Sequence, residues 1–526
     1  MLSSKRWLLL VTLTMILVSQ PTQLRFVDVA SDLGFRSPNV YGGLDKKQYI
    51  LETTGSGVAI FDYNNDGRND VLFVNGTTLQ GDKASPSMLY RNDGAGKFTN
   101  VSESAGLTRT GWGQAVCAGD YNNDGHLDLL VTYYGHNALY RNGDGSKFLD
   151  VTKQAGLPVT GTRWGAGCAF VDYDRDGHLD LFLSNYVDLD LANAPKPGDR
   201  PECKWKGIDV MCGPRGLPAA RNVLYHNEGD GTFRDVSEKA GILKPGGRYG
   251  LGVLAADFNN DGWQDIYVAC DMTPSLLYQN RGDGTFIERG AEAGVAYNFD
   301  GQLQAGMGVA SADFDGNGFL DIVKTNFSGD LPSLYQNEDG RYFSDVARQA
   351  GLGANQLLGW GAAFVDVDED SWADIILANG HVYPEIERAK TGETYAQSTL
   401  LYRNLGKGKF TDITKQAGAP FQTSRVSRGL AIGDLDGDGR PEIIISNMNA
   451  TPTVLKNTGP IGNFVSIVLK GKQTIGARVS IATNGHTQMQ PVLSGGGFYS
   501  HNSFDLHFGL GTAKTVQRIE VVWPDG

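Results

Sequence analysis

Cysteine is scarce in this chain: five residues in 526, with no C-x-x-C pair, which excludes a disulfide framework, a zinc ribbon and a thioredoxin-like redox site. Positive charge is also short. Lys and Arg number 46 against 59 Asp and Glu, and the formal charge of −13 argues against nucleic acid as a partner, because phosphate-backbone binding needs a basic surface. Long apolar runs are missing apart from Trp7 to Val18, which follows Lys5-Arg6 and precedes Ser19-Gln20-Pro21. That run is short for a bilayer span, so residues 1–24 read as an export signal, and membrane contact is expected only through this segment if it stays uncleaved as an anchor. Neither G-x-S-x-G nor H-E-x-x-H occurs, and the eight histidines do not cluster.

Glycine is abundant, with 70 residues, roughly double average usage, and no collagen triplet period. An internal repeat explains it. An acidic nine-residue loop recurs seven times, as DYNNDGRND from Asp62, DYNNDGHLD from Asp120, DYDRDGHLD from Asp172, DFNNDGWQD from Asp257, DFDGNGFLD from Asp313, DVDEDSWAD from Asp366 and DLDGDGRPE from Asp434. Each is preceded by a segment of small and apolar residues and followed by an apolar run such as VLFVN or IILAN, so each loop joins two strands. A third strand follows at the LYRN, LYHN or LYQN phrase, which degenerates to VLKN at 454. A turn and a phrase such as GKFTNV then supply a fourth. Four strands every 50 to 85 residues is a propeller pattern, and the all-β, seven-bladed reading covers residues 25–460 with an insertion at 186–220. The seventh unit lacks its last phrase. Phe26-Val27-Asp28-Val29 at the other end of the chain supplies it, and a ring closed this way leaves no open edge.

The loops carry oxygen ligands at positions 1, 3, 5 and 9, which suits Ca²⁺ better than a transition metal. The expected ligands are Asp62, Asn64, Asp66 and Asp70 in the first loop, Asp120, Asn122, Asp124 and Asp128 in the second, and Asp172, Asp174, Asp176 and Asp180 in the third. They continue as Asp257, Asn259, Asp261 and Asp265, then Asp313, Asp315, Asn317 and Asp321, then Asp366, Asp368, Asp370 and Asp374, and finally Asp434, Asp436, Asp438 and Glu442. An EF-hand is excluded: its twelfth position demands Glu, and here it holds Phe73, Val131, Leu183, Val268, Lys324, Leu377 and Ile445. Up to seven Ca²⁺ would offset the −13 charge. The sixth loop is the odd one, with Ser371 where the sharp turn favours glycine.

These loops and their spacing resemble the FG-GAP or VCBS repeat family, in which the resemblance implies seven-bladed propellers with Ca²⁺ in the hairpin loops, as in the integrin α-subunit head. Residues 461–526 resemble the ASPIC/UnbV module through Gly476-Ala477-Arg478-Val479, Gly495-Gly496-Gly497-Phe498-Tyr499-Ser500, His507-Phe508-Gly509-Leu510-Gly511 and Val522-Trp523-Pro524-Asp525-Gly526. The combination is similar to the cartilage acidic protein family and its bacterial relatives.

At the end of the ring opposite the metal loops, Trp112, Trp164, Tyr249 and Trp360 stand near strand starts, with His381 beside them, and form a candidate glycan or peptide site. The competing reading is that these aromatics plug the ring. Within the insertion Cys203 and Cys212 are expected to pair, as befits an exported chain, whereas Cys117, Cys168 and Cys270 lie in strands and are expected to be buried thiols. The tripeptide Arg281-Gly282-Asp283 reads as a product of the hairpin template, which elsewhere gives GDG. The functional expectation is an exported Ca²⁺-binding propeller that binds a glycan or an extracellular protein, secreted or periplasmic. The alternative is an enzyme or biosynthetic accessory protein using the end opposite the metal loops, with His381 as its one available imidazole.

Overall fold

The computed structural model describes residues 24–525 except 82, 354–355, 390, 472 and 484. The export-signal reading therefore falls, but for Leu24, outside the described residues. Strands dominate: among the described residues, those of 26–457 form five four-stranded antiparallel sheets and one eight-stranded sheet, in which the second and third repeats are joined by Arg163 opposite Gly135 and Trp164 opposite Tyr134, and the insertion adds a two-stranded hairpin. The fourth unit is representative: Gly250–Ala256, Asp265–Cys270, Leu276–Asn280 and Phe286–Glu288 lie side by side in that order. Its register pairs Val253 with Val268, Ile266 with Tyr278 and Asn280 with Phe286. In the seventh unit Phe26–Asp28 supplies the fourth strand, with Phe26 opposite Asn457 and Asp28 opposite Leu455.

The first strands are Val58–Phe61, Gly113–Gly119, Arg163–Val171, Gly250–Ala256, Val309–Ala312, Gly359–Val365 and Ser427–Gly433. Each abuts the next, and the last abuts the first, so they line the axis of a closed all-β propeller. Crowding there explains the fixed glycine positions. A Cβ on Gly308 would lie 1.9 Å from the Trp360 carbonyl oxygen, and one on Gly57 would lie 2.1 Å from that of Tyr499.

One side chain per unit stitches neighbours together. The amide nitrogen of the third-strand Asn donates to the carbonyl at loop position 2 of the preceding unit: Asn142 to Tyr63 at 2.7 Å, Asn227 to Tyr121, Asn280 to Tyr173 and Asn337 to Phe258 at 2.8 Å, and Asn404 to Phe314 at 2.9 Å. Asn92 reaches Leu435 at 2.8 Å and Asn457 reaches Val367 at 2.9 Å, so the same bond also closes the ring.

The C-terminal residues add two small sheets, with Asn463–Ile467 paired to Leu506–Gly511 and Arg478–Thr483 between His486–Pro491 and Arg518–Val522. Their segment 494–501 enters the axis of the ring. Ser494 Oγ donates to the Ala118 carbonyl at 2.7 Å, Val309 N to Gly497 O at 2.8 Å, Val116 N to Tyr499 O at 3.2 Å and His501 N to Val58 O at 2.9 Å. Phe498 is fully buried against Trp360, with ring centroids 4.7 Å apart. The glycines before it are required: Gly495, Gly496 and Gly497 all have positive φ, and a Cβ on Gly495 would meet the Cys168 carbonyl oxygen at 2.3 Å.

Replacing a stitching Asn tests the closure. Asn337→Ala removes bonds to two buried carbonyls, of Phe258 and Leu320, and leaving such groups unpaired costs about 1–3 kcal/mol each. The expected outcome is a clearly lowered melting temperature; an unchanged melt would show that the stitch carries no stability.

Candidate functional site

Each acidic loop is a tight turn held by its own carboxylates. In the first loop Asp62 accepts from Asp66 N at 3.1 Å and Gly67 N at 2.7 Å, while Asp66 accepts from Arg68 N at 3.0 Å. Position 4 adopts the left-handed conformation, near φ +57° to +59° at Asn65, Asn123, Arg175, Asn260 and Glu369, which is why Asn predominates and Gly316 and Gly437 fill the other two loops. Ser371 also takes positive φ, so the sixth loop keeps the turn of its siblings despite lacking glycine there.

The carboxylate at position 9 starts the second strand and is withdrawn from water. Asp70, Asp128, Asp180, Asp321 and Asp374 are completely buried, and Asp265 and Glu442 nearly so. Two backbone N–H groups hold each of the six aspartates, as Asp70 accepts from Tyr63 N at 3.0 Å and Asn92 N at 2.7 Å, and Asp180 from Tyr173 N at 3.2 Å and Asn227 N at 2.8 Å, while Glu442 accepts from Leu435 N at 2.8 Å. Burial outweighs those bonds and pushes the carboxyl groups up, to about 7 for Asp70 and Asp180 and about 8 for Asp128 and Glu442, with further carboxylates of the same loops adding to the rise. Asp265, Asp321 and Asp374 shift the same way for the same reason.

Oxygen donors converge accordingly. Donor atoms of Asp172, Asp174 and Asp176 lie within 4.8 Å of one another, as do those of Asp313, Asp315 and Asp321, of Asp366, Asp368 and Asp374, and of Asp434, Asp436 and Glu442. The loops also touch in series. Asn65 Nδ2 donates to the Gly125 carbonyl, Asn123 Nδ2 to Gly177 and Asn260 Nδ2 to Gly318, each at 2.9 Å, and Arg175 donates to Gly262. Between loops five and six, where position 4 is Gly316, His486 of the C-terminal fold lies 3.1 Å from the Ser371 carbonyl oxygen instead. His507 contacts Glu369 at 2.8 Å, so the C-terminal fold rests on the same end of the ring as the loops.

The opposite end departs from expectation. Trp112, Trp164, Tyr249, Trp360 and His381 are all buried, Trp164 and His381 completely. The insertion covers them: Tyr186 packs edge-on against Trp164 at 5.0 Å, Trp205 lies 5.0 Å from His381, and the Tyr249 hydroxyl donates to the Leu217 carbonyl at 2.7 Å. Phe498 covers Trp360 from the axis, and the Arg428 guanidinium lies 4.0 Å over the same indole. These side chains are packing groups. Burial, with the charges of Arg428 and Lys206, lowers the His381 imidazole to about 3, and its Nδ1 accepts from Tyr383 N, so it is no accessible acid or base.

Cys203 and Cys212 form a disulfide, with Cα atoms 4.2 Å apart. Cys117 and Cys168 do so as well, contrary to the expectation of free thiols: the bare first strands of adjacent units bring their Cα atoms to 6.0 Å. Cys270 alone is a buried free thiol. Sequence reasoning also passed over the third-strand Asn, although its repetition in every LY-x-N phrase was a visible signal.

The model of an FG-GAP-like repeat matches residues 62–131, 120–183, 208–268, 257–324 and 392–445, which together make up more than half of the chain, and the ASPIC and UnbV model matches residues 469–526. Human cartilage acidic protein 1 is 26% identical over 374 residues, 69% of this chain and 50% of that protein; the Mus musculus protein is equally similar, with 52% of its length covered. The chain thus spans about half the length of the curated relatives it matches. Among solved structures, one on recognition of non-reducing terminal N-acetylglucosamine by an Agrocybe aegerita lectin aligns with TM-score 0.36 and 19% identity, covering 68% of this chain and 79% of the other.

The raised carboxyl groups set the pH response. Their folded-state values of about 7 to 8 exceed the roughly 4 of an unfolded carboxylate, so the folded chain holds protons that the unfolded chain releases. Stability of the cation-free protein is therefore expected to fall as pH rises from 5 to 8, and divalent cation should abolish the fall. Melts in chelator across that range check this; greater stability at pH 8 than at pH 5 without cation would contradict it.

Proposed function

We propose that this chain, which belongs to the FG-GAP-like repeat family and ends in an ASPIC and UnbV module, is an exported calcium-loaded propeller that binds a glycan or an extracellular protein. One observation carries the calcium part of the reading. Seven loops repeat oxygen-bearing side chains in one register, each with a carboxylate enclosed at the root of the second strand, and in the third, fifth, sixth and seventh the acidic donors also converge within 4.8 Å, a donor chemistry that suits a hard divalent cation. The residues that would hold calcium are those at positions 1, 3, 5 and 9, with the position 7 carbonyl. Calcium bound there would supply the positive charge that the enclosed carboxylates otherwise lack. The chain's part is to hold those oxygens in place, through the N–H groups at positions 2, 5 and 6 and of the third-strand Asn.

Two disulfides support an oxidising compartment, secreted or periplasmic. A binding role is supported by a rigid, cross-stitched ring carrying net negative charge, a surface unsuited to nucleic acid. The ligand contacts in this reading are on the outside of the insertion and ring, because the aromatic set at the far end is enclosed.

Extracellular calcium modules bind at about 10⁻⁴ to 10⁻³ M. At millimolar calcium each occupied loop then adds on the order of 1 kcal/mol by mass action, so calcium is expected to raise the melting temperature in proportion to the number of loops filled. Screening the full chain on glycan and extracellular-protein arrays should give binding in calcium that disappears in EDTA and returns on re-addition. A melt insensitive to EDTA would overturn the calcium assignment, and binding that persists unchanged in EDTA would separate recognition from the loops.

A further inference from the structure

The third loop differs from its siblings through a side chain that lies outside it. In every unit the residue before the stitching Asn sits on the third strand beside the loop. Where position 3 is Asp, that residue faces it: Gln336 bonds Asp315, Arg403 Nη2 stands 2.5 Å from Asp368, and Lys456 Nζ bonds Asp436. Where position 3 is Asn, it turns elsewhere, as Arg91 does to Asp93 at 2.8 Å. In the third unit the facing residue is His226, the single imidazole at this register, and so the single side chain there that can offer a nitrogen lone pair.

The geometry is that of a donor set. His226 Nδ1 lies 3.2 Å from Asp180 Oδ1 and 3.4 Å from Asp174 Oδ2. The three donor atoms all lie within 4.8 Å of one another. Nδ1 of His226 is enclosed and faces these two carboxylates, its contact with Asp180 being a hydrogen bond when the ring is protonated there, and the second oxygen of Asp174, Oδ1, is enclosed without a hydrogen-bond partner. A tetrahedral ion with bonds of about 2.0–2.1 Å to nitrogen and oxygen separates its donors by about 3.3 Å, which matches the two distances from His226 Nδ1 to the carboxylates. Hard cations such as calcium take oxygen; imidazole selects zinc and its first-row neighbours. The frame is also fixed before any ion arrives. Asp180 is held by Tyr173 N and Asn227 N, the His226 strand is pinned through Tyr225 opposite Asp235 and Asn227 opposite Phe233, and the ring stands edge-on to Tyr173.

We propose that the third loop is a mixed nitrogen and oxygen site for a zinc-type divalent ion, bound by Asp174, Asp180 and His226, while the other loops keep to oxygen ligands. This rests on the reading that the acidic loops hold cations, and it adds a metal class that the repeat pattern alone does not specify.

The test is equilibrium dialysis of the full chain against Zn²⁺, and separately Co²⁺ with its visible absorption recorded, in about 1 mM Ca²⁺, with bound calcium counted in the same samples. The variants are H226Q and H226R, which install side chains already found at this register in sister units, each checked by melting for an intact fold. The expected result is one zinc per chain held against excess calcium, a cobalt spectrum of a nitrogen-containing low-coordinate site, and at least tenfold weaker zinc binding in both variants with calcium uptake by the other loops unchanged. Calcium uptake with no zinc bound, or zinc bound equally well by the variants, would overturn the inference and leave the calcium reading standing. Absence of calcium from every loop would overturn that reading as well.

Discussion

Seven carboxylates, one at the root of each second strand, are held out of water, and most of the structure is arranged around them. An ionised carboxylate in such a place is tolerated only if it is hydrogen-bonded and its charge is met. The chain supplies the first condition itself. Asp128 receives Tyr121 N at 3.2 Å and Asn142 N at 2.8 Å, and Asp374 receives Val367 N at 3.0 Å and Asn404 N at 2.6 Å. The same Asn that offers its backbone N–H to this carboxylate sends its side chain to the neighbouring unit. Loop geometry and ring closure are therefore one network, and disturbing the charge in a loop acts on the seam between units.

The C-terminal fold belongs to that network too. It does not sit beside the ring as a separate body: residues 494–501 run down the axis and bond first strands on several sides, while His486 and His507 meet the sixth loop. Where the series of loop-to-loop bonds breaks at Gly316, a side chain from this fold takes up the position. The sixth acidic loop and the C-terminal fold thus share contacts through His486 and His507.

Much of this was legible in the residues. Seven acidic loops in one register fixed strand order within units, because a loop with that turn must join adjacent antiparallel strands; Phe26-Val27-Asp28-Val29 was readable as a displaced fourth strand because it repeats the F-x-D-V phrase. What was hidden depends on contacts between distant segments. Trp164 looks like a site residue at the mouth of a strand, and only Tyr186 folding back over it shows that it is core. Cys117 and Cys168 look like isolated thiols, because their proximity comes from the closeness of two first strands. His226 resembles its Arg and Gln counterparts until the distances to Asp174 and Asp180 are known.

The central claim is that the loop carboxylates share their charge with a bound cation. Calorimetric titration of the full chain with calcium at pH 7, repeated in buffers of different ionisation enthalpy, measures it directly, because carboxyl groups raised to about 7 and 8 are partly protonated there and must release those protons as the cation binds. The account predicts net proton release at pH 7 that is smaller at pH 9. Calcium binding with no proton release at pH 7, or no calcium binding at either pH, would contradict it.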